Sequence, residues 1–150
     1  MAELFFVYGT LRDPDLLTGV LARLLRPAAI LPAIAPGFRA AHYPNRFCPA
    51  LLRAPGAAAE GLVLADLSPF ECDLLDAYEG RQDYRRQLIP VMIGEELHEV
   101  YAYLPVIAVP PAAEPWTLAA WQGQHKARVL AGERMSADEI RVKLIAVRPH

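Results

Sequence analysis

The chain has 150 residues, of which 54% are hydrophobic and 21% charged, with a formal net charge of −2. That is one domain's worth of sequence with ample material for a core, which excludes a disordered chain and two full domains. The near-neutral balance offers no field for nucleic acid or a membrane surface. No apolar run approaches the roughly 18 residues of a membrane span.

The 14 prolines argue against a helical bundle, because proline removes an amide donor and breaks helices. Cys48 and Cys72 are too few for a disulfide framework, and neither they nor His42, His98, His125 and His150 show metal-ligand spacing. The opening MAELFFVYGTLR lacks the basic start and long apolar core of a secretory signal. The expected setting is a reducing cytoplasm.

Residues 4–8 do not alternate, so they read as a strand buried on both faces. Gly9-Thr10-Leu11-Arg12 follows as a turn, and Asp13-Pro14 reads as an N-cap with proline at the first helical position. Leu16, Leu17, Val20, Leu21 and Leu24 then repeat at helical spacing. Closely spaced prolines over 27–55 predict short irregular strands, with turns at Pro36-Gly37 and Pro55-Gly56. Residues 60–67 read as a strand, so 50–67 looks like a hairpin and 54–59 a loop.

Ser68-Pro69-Phe70-Glu71 is a capping box opening a helix to about Glu79, with Gly80 as its stop. Residues 84–93 and 97–104 form a second hairpin around Gly94-Glu95-Glu96. Two helices, 116–132 and 137–147, complete the chain, the second capped by Ser136. The resulting fold class is α+β: a small, mainly antiparallel β-barrel with flanking helices in a single domain of residues 1–150.

Two places carry chemistry. In Tyr8-Gly9-Thr10-Leu11, a glycine at the end of a buried strand frees backbone amides to face a carboxylate or oxyanion. A tight turn needing glycine explains the same residues. The second place is Glu79. The apolar arc of its helix is Phe70, Leu74, Leu75 and Tyr78, and Glu79 lies at the rim, whereas Asp73 and Asp76 point away. In the last turn the helix dipole disfavours an anion, and partial burial acts in the same direction. A carboxylate with a raised pKa suits a general base near neutral pH, and a solvated glutamate at a helix end is the plain alternative. Arg81, Arg85 and Arg86 read as a solvated strand edge, and Tyr84, Tyr101 and Tyr103 as barrel lining. Trp116 and Trp121 read as core cover. Ser68 and Ser136 are helix caps, which leaves no serine nucleophile, and Cys48 has no histidine near it in sequence except His42.

The pieces FFVYGTLR, CPALLRAPG, EGLVLADL, LLDAYEGRQDYRR, LIPV and VYAYL occur in this order across residues 4–104. Together they resemble the gamma-glutamylcyclotransferase-like proteins. The resemblance implies the same small barrel. It places substrate-binding groups on Tyr8, Gly9, Thr10 and Leu11, the catalytic carboxylate on Glu79, and the ligand's surroundings near Tyr84 and Arg86. It implies a small γ-glutamyl substrate, cyclised to 5-oxoproline with release of an amine or amino acid, and no metal or organic cofactor. A binding module using the same pocket for γ-glutamyl or amino-acid-like ligands is the rival, and a Cys48 hydrolase a remote third. The helices at 116–147 are appended to the matched region.

Overall fold

The computed structural model describes residues 3–147. Five strands, β1 (Phe5–Val7), β2 (Ile30–His42), β3 (Pro49–Leu64), β4 (Tyr84–Ile93) and β5 (Glu96–Pro105), form one sheet in the order β1-β3-β2-β4-β5. Every pairing is antiparallel except the parallel β1–β5 contact, which closes the sheet into a barrel. The helices are α1 (Pro14–Leu21), α2 (Pro69–Gly80), the short α3 (Leu118–Trp121) and α4 (Ala127–Val147).

The all-apolar β1 is explained by two cores that meet on it. Phe6 and Tyr8 belong to a cluster with Val63, Val91 and Val100 inside the barrel. Phe5 and Val7 belong to the other cluster, with Leu16, Val20, Leu75 and Trp121 from the helices. A strand between two cores has no wet face on which to place polar side chains. Gly61 shows how tightly β3 lies on β1: an added Cβ would come within 2.4 Å of the Val7 carbonyl and 2.6 Å of the Phe6 ring. Gly61→Ala is therefore expected to lower unfolding stability by about 1–3 kcal/mol through overpacking, as read by denaturant titration.

The expected hairpin at 50–67 is absent. β3 runs unbroken through Pro55-Gly56, and β2 through Pro36-Gly37. The true hairpin is β2–β3, with His42 opposite Pro49. The register shifts between Pro36, opposite Ala58, and Phe38, opposite Arg53. The two Pro-Gly pairs thus belong to facing irregularities within one ladder. Gly37 (φ 80°) and Gly56 (φ 85°) take up the left-handed backbone there. The local conformations match the sequence reading, but the strand pairing absorbs them instead of reversing the chain.

The capping box forms in full: the Ser68 hydroxyl accepts from the Glu71 amide at 3.1 Å, and Glu71 Oε1 accepts from the Ser68 amide at 2.9 Å. Glu71 also holds Arg23 of the segment after α1 through two hydrogen bonds, 2.6 and 2.8 Å. α2 ends at Gly80 as expected, but Gly80 keeps helical backbone and is not the left-handed cap. The left-handed residue is Asp83 (φ 62°), after the Gln82 and Asp83 amides have bonded the Glu79 and Gly80 carbonyls.

The C-terminal helices are also continuous. Residues 118–147 are helical throughout, with a π-helical segment at Gln122–Lys126, and Ser136 lies inside α4 and caps nothing. Packing overrides the local breakers Gly132 and Ser136: Ala137 is fully buried, Arg141 donates to the Val20 carbonyl of α1, and Arg134 lies over Gly19. No helix among the described residues is long and apolar enough to cross a membrane.

Candidate active site

The end of β1, the start of β3, the last turn of α2, the start of β4 and the end of β5 converge on one narrow chamber. Tyr8, Gly9, Thr10, Leu11, Cys48, Pro49, Glu79, Tyr84 and Tyr103 line it. All six residues singled out in the sequence as candidates for catalysis or binding therefore face the same space. Arg86 is not among them. It pairs with Glu3 (2.8 Å) and Asp76 (3.5 Å) and covers the Tyr101 ring, so it fastens β4 to α2 instead of facing a ligand.

Thr10–Arg12 winds as a single 3-10 turn, with the Arg12 and Asp13 amides bonded to the Gly9 and Thr10 carbonyls. The amides that open such a turn have no partner within it. Among the described residues those of Gly9, Thr10 and Leu11 donate to no loop or cap carbonyl. Gly9 is required by close approach, because a Cβ there would meet the Pro49 ring at 2.8 Å. The loop is thus held against β3, and Gly9, Thr10 and Leu11 line the chamber.

Glu79 lies across the chamber from this loop's strand, on the last turn of α2. Its carboxylate pairs with no described donor. The chamber leaves it partly accessible, yet protein surrounds it closely enough for desolvation to dominate. Burial raises its pKa to about 8, against a downward pull from Arg81 and with a further push from Glu133. Arg81 itself is engaged elsewhere, by the Tyr78 carbonyl (3.1 Å) and by Glu133 (2.9 Å).

The tyrosines of the chamber are anchored. The Tyr84 hydroxyl donates to the Pro49 carbonyl and the Tyr8 hydroxyl to the Tyr103 carbonyl. The Tyr103 hydroxyl donates to Asp76 at 2.7 Å. Burial raises the pKa of all three phenols, so they stay neutral. Burial also pushes the Cys48 thiol up to about 11, which keeps it protonated and unsuited to nucleophilic attack.

Two residues add to the sequence reading. Asp76 points away from the apolar arc of α2, as read, but it is engaged. It holds the Tyr103 hydroxyl and faces Arg86, so Asp76→Ala is expected to cost about 1–2 kcal/mol of stability, seen as a lowered thermal midpoint. Glu133, on α4, also reaches the site, accepting from the Tyr78 hydroxyl at 2.7 Å. No local motif marks Glu133. Only the packing of α4 on α2 brings it there.

Over residues 5–122 the chain matches the family described as gamma-glutamyl cyclotransferase, AIG2-like, and it belongs to that family. AIG2-like protein A of Arabidopsis thaliana is 28% identical over 128 residues, which span 83% of this chain and 75% of that protein. Another Arabidopsis thaliana protein, of known solution structure, has the same fold with a TM-score of 0.65 at 24% identity, over 99% of this chain and 95% of that one. A structure named gamma-glutamyl cyclotransferase gives 0.56 at 18% identity, over 100% and 90% of the two chains.

Proposed function

We infer that the protein is a gamma-glutamyl cyclotransferase-type enzyme, converting a γ-glutamyl amine or peptide to 5-oxoproline and a free amine or amino acid. The observation that carries this reading is the Glu79 carboxylate, raised to about 8 and paired with no described donor, in one chamber with the residues of the Tyr8–Leu11 loop.

The reaction is internal to the substrate. Its α-amino nitrogen attacks its own γ-carbonyl carbon, closing a five-membered ring, and the bond to the leaving nitrogen then breaks. No water is consumed, so a narrow desolvated chamber suits it. The protein supplies orientation, proton transfer and support for the oxyanion. Glu79 takes the proton from the attacking amine and returns it to the leaving nitrogen. Its pKa near that of an α-amino group, about 8, makes the first transfer close to even in energy. The Gly9, Thr10 and Leu11 amides hold the γ-glutamyl part, and the anchored Tyr8, Tyr84 and Tyr103 give the chamber a fixed outline.

The test is incubation with γ-glutamyl dipeptides, γ-glutamyl-ε-lysine and glutathione, followed by assay for 5-oxoproline. Product from one or more supports the reading. Saturable binding of these compounds without product would make the protein a binding module instead.

A further inference from the structure

Besides the chamber, Glu79 borders a cavity of about 280 Å³, and Glu79 and Glu133 are the two carboxylates in its wall. Two arginines share that wall, Arg46 and Arg81. Arg46 is held by Asp83 at 2.7 Å. Arg81 follows Glu79 by two residues, at the C-cap of α2. Left to itself, a guanidinium in that place would take Glu79 as its partner, because an opposite charge a few ångströms away favours the ionised carboxylate.

Arg81 is instead given to the other carboxylate. Its Nη2 donates to Glu133 Oε2 at 2.9 Å, and the same oxygen accepts from the Tyr78 hydroxyl at 2.7 Å. Its Nε donates to the Tyr78 carbonyl at 3.1 Å, and the guanidinium lies over the Tyr78 ring, 4.5 Å from its centre. The side chains of Arg81 and Glu133 are 30% and 26% exposed, so solvent screens the pair only in part. Glu133 has a fixed place because α4 is anchored on α1: Ala137 is fully buried and Arg141 bonds the Val20 carbonyl. Around Glu79, burial keeps Tyr8, Tyr78, Tyr84, Tyr103 and Cys48 neutral. Burial also dominates Glu79 itself, and the charges that act on it beyond this are Arg81, which lowers its pKa, and Glu133, which raises it.

We propose that Glu133 is a positioning residue: by binding Arg81 it keeps that guanidinium from pairing with Glu79 and leaves the carboxylate free to carry the proton. This rests on the reading proposed above, with Glu79 as the base. A carboxylate clamped by an arginine stays ionised but gives up basicity, and it then matches an α-amino group poorly. Glu133 lies beyond residue 122, where the family match ends, so the poise of a base on α2 is set by a residue outside the matched region.

The experiment titrates the Glu79 carboxyl by carbon-13 NMR in the substrate-free protein. In parallel it measures the pH profile of kcat/KM with γ-glutamyl-alanine, γ-glutamyl-ε-lysine and glutathione. Glu133→Gln keeps the shape and still accepts a hydrogen bond, but it frees Arg81. It should move the Glu79 titration and the rising limb of kcat/KM down by about 1–3 pH units, and lower the plateau because the base is weaker. Arg81→Met should move both up. The double variant has no guanidinium to capture and should titrate near the parent and regain the plateau. A purely structural role for Glu133 predicts lower rates and stability with the limb unmoved, and no recovery in the double variant. A Glu79 titration unchanged by Glu133→Gln, or by Arg81→Met where the first variant does not fold, overturns the proposal and leaves the cyclotransferase reading standing. No 5-oxoproline from the unmodified protein with any of the three substrates overturns both.

Discussion

Glu79→Gln is expected to lower kcat by about 10²–10⁴-fold with KM little changed. The amide has nearly the shape of the carboxylate but takes up no proton near neutral pH. Because no described donor holds Glu79, the exchange breaks no hydrogen bond. The same substitution removes a carboxylate whose ionisation the chamber resists. The folded state binds the Glu79 proton more tightly than the unfolded chain does. Wild-type stability from this group is therefore greatest at low pH and falls as pH rises from the ordinary glutamate range towards about 8. Glu79→Gln should accordingly melt no lower than the parent at neutral pH, and higher at pH 9. An inactive, destabilised variant would point to a structural role. An active one would give the proton transfer to another group.

The pH profile tests the same residue by an independent route. The base acts only when ionised, so kcat/KM should rise with pH to about 8, where the free protein's Glu79 titrates. A bound substrate brings an ammonium towards the carboxylate, and an opposite charge lowers its pKa. The rising limb of kcat should therefore lie at lower pH than that of kcat/KM. A flat profile from pH 6 to 8.5 would remove Glu79 from the proton path.

What the sequence disclosed about this protein was mostly local. The Asp13-Pro14 and Ser68-Pro69 helix starts depend on a few neighbouring residues, and both are found as read. The unalternating β1 declared its double burial. Misreadings arose where a distant partner decided the outcome. Pro55-Gly56 has the residues of a turn, but twelve pairings with β2 hold β3 straight through it. Asp76 lies off the apolar arc of α2, yet β5 delivers a tyrosine hydroxyl to it. Glu133 was invisible because no local pattern marks it, and Arg81, although inside the piece LLDAYEGRQDYRR, read as a solvated strand edge. The loop at Tyr8–Leu11 and Glu79 were legible only because the order of several short pieces resembles a family. Taken singly, each has a commonplace explanation.

Asp13 shows how the C-terminal helices bear on the site, and Asp13→Ala is expected to cost about 2–4 kcal/mol of stability. The side chain is completely inaccessible, between the start of α1 and the π-helical segment. Its Oδ1 accepts from the Asp15 and Leu16 amides at 3.0 Å, capping α1, and its Oδ2 accepts from Gln122 at 2.8 Å and pairs with Lys126 at 2.9 Å. Loss of the cap alone is worth about 1 kcal/mol. Stranding the buried partners adds the remainder, below the full cost of a broken buried ion pair because Lys126 keeps Asp15. Asp13→Asn separates the two, since asparagine caps as well as aspartate but cannot accept a proton donor from lysine on its amide nitrogen. It should lose about half as much. Burial by itself raises the Asp13 pKa, but the hydrogen bonds from Lys126, Gln122 and Leu16 outweigh it and hold the carboxyl below its usual range. The stabilisation is therefore present above the ordinary aspartate pKa, about 4, and disappears as pH falls through the lower folded value. At pH 7 the alanine variant should melt lower by roughly 4–16 °C, at 2–4 °C per kcal/mol for a chain of this size. A shift under about 1 °C would show that the contact between α1 and the C-terminal helices is incidental. The Asp13 amide bonds the Thr10 carbonyl, so a real loss here also loosens the turn that lines the chamber.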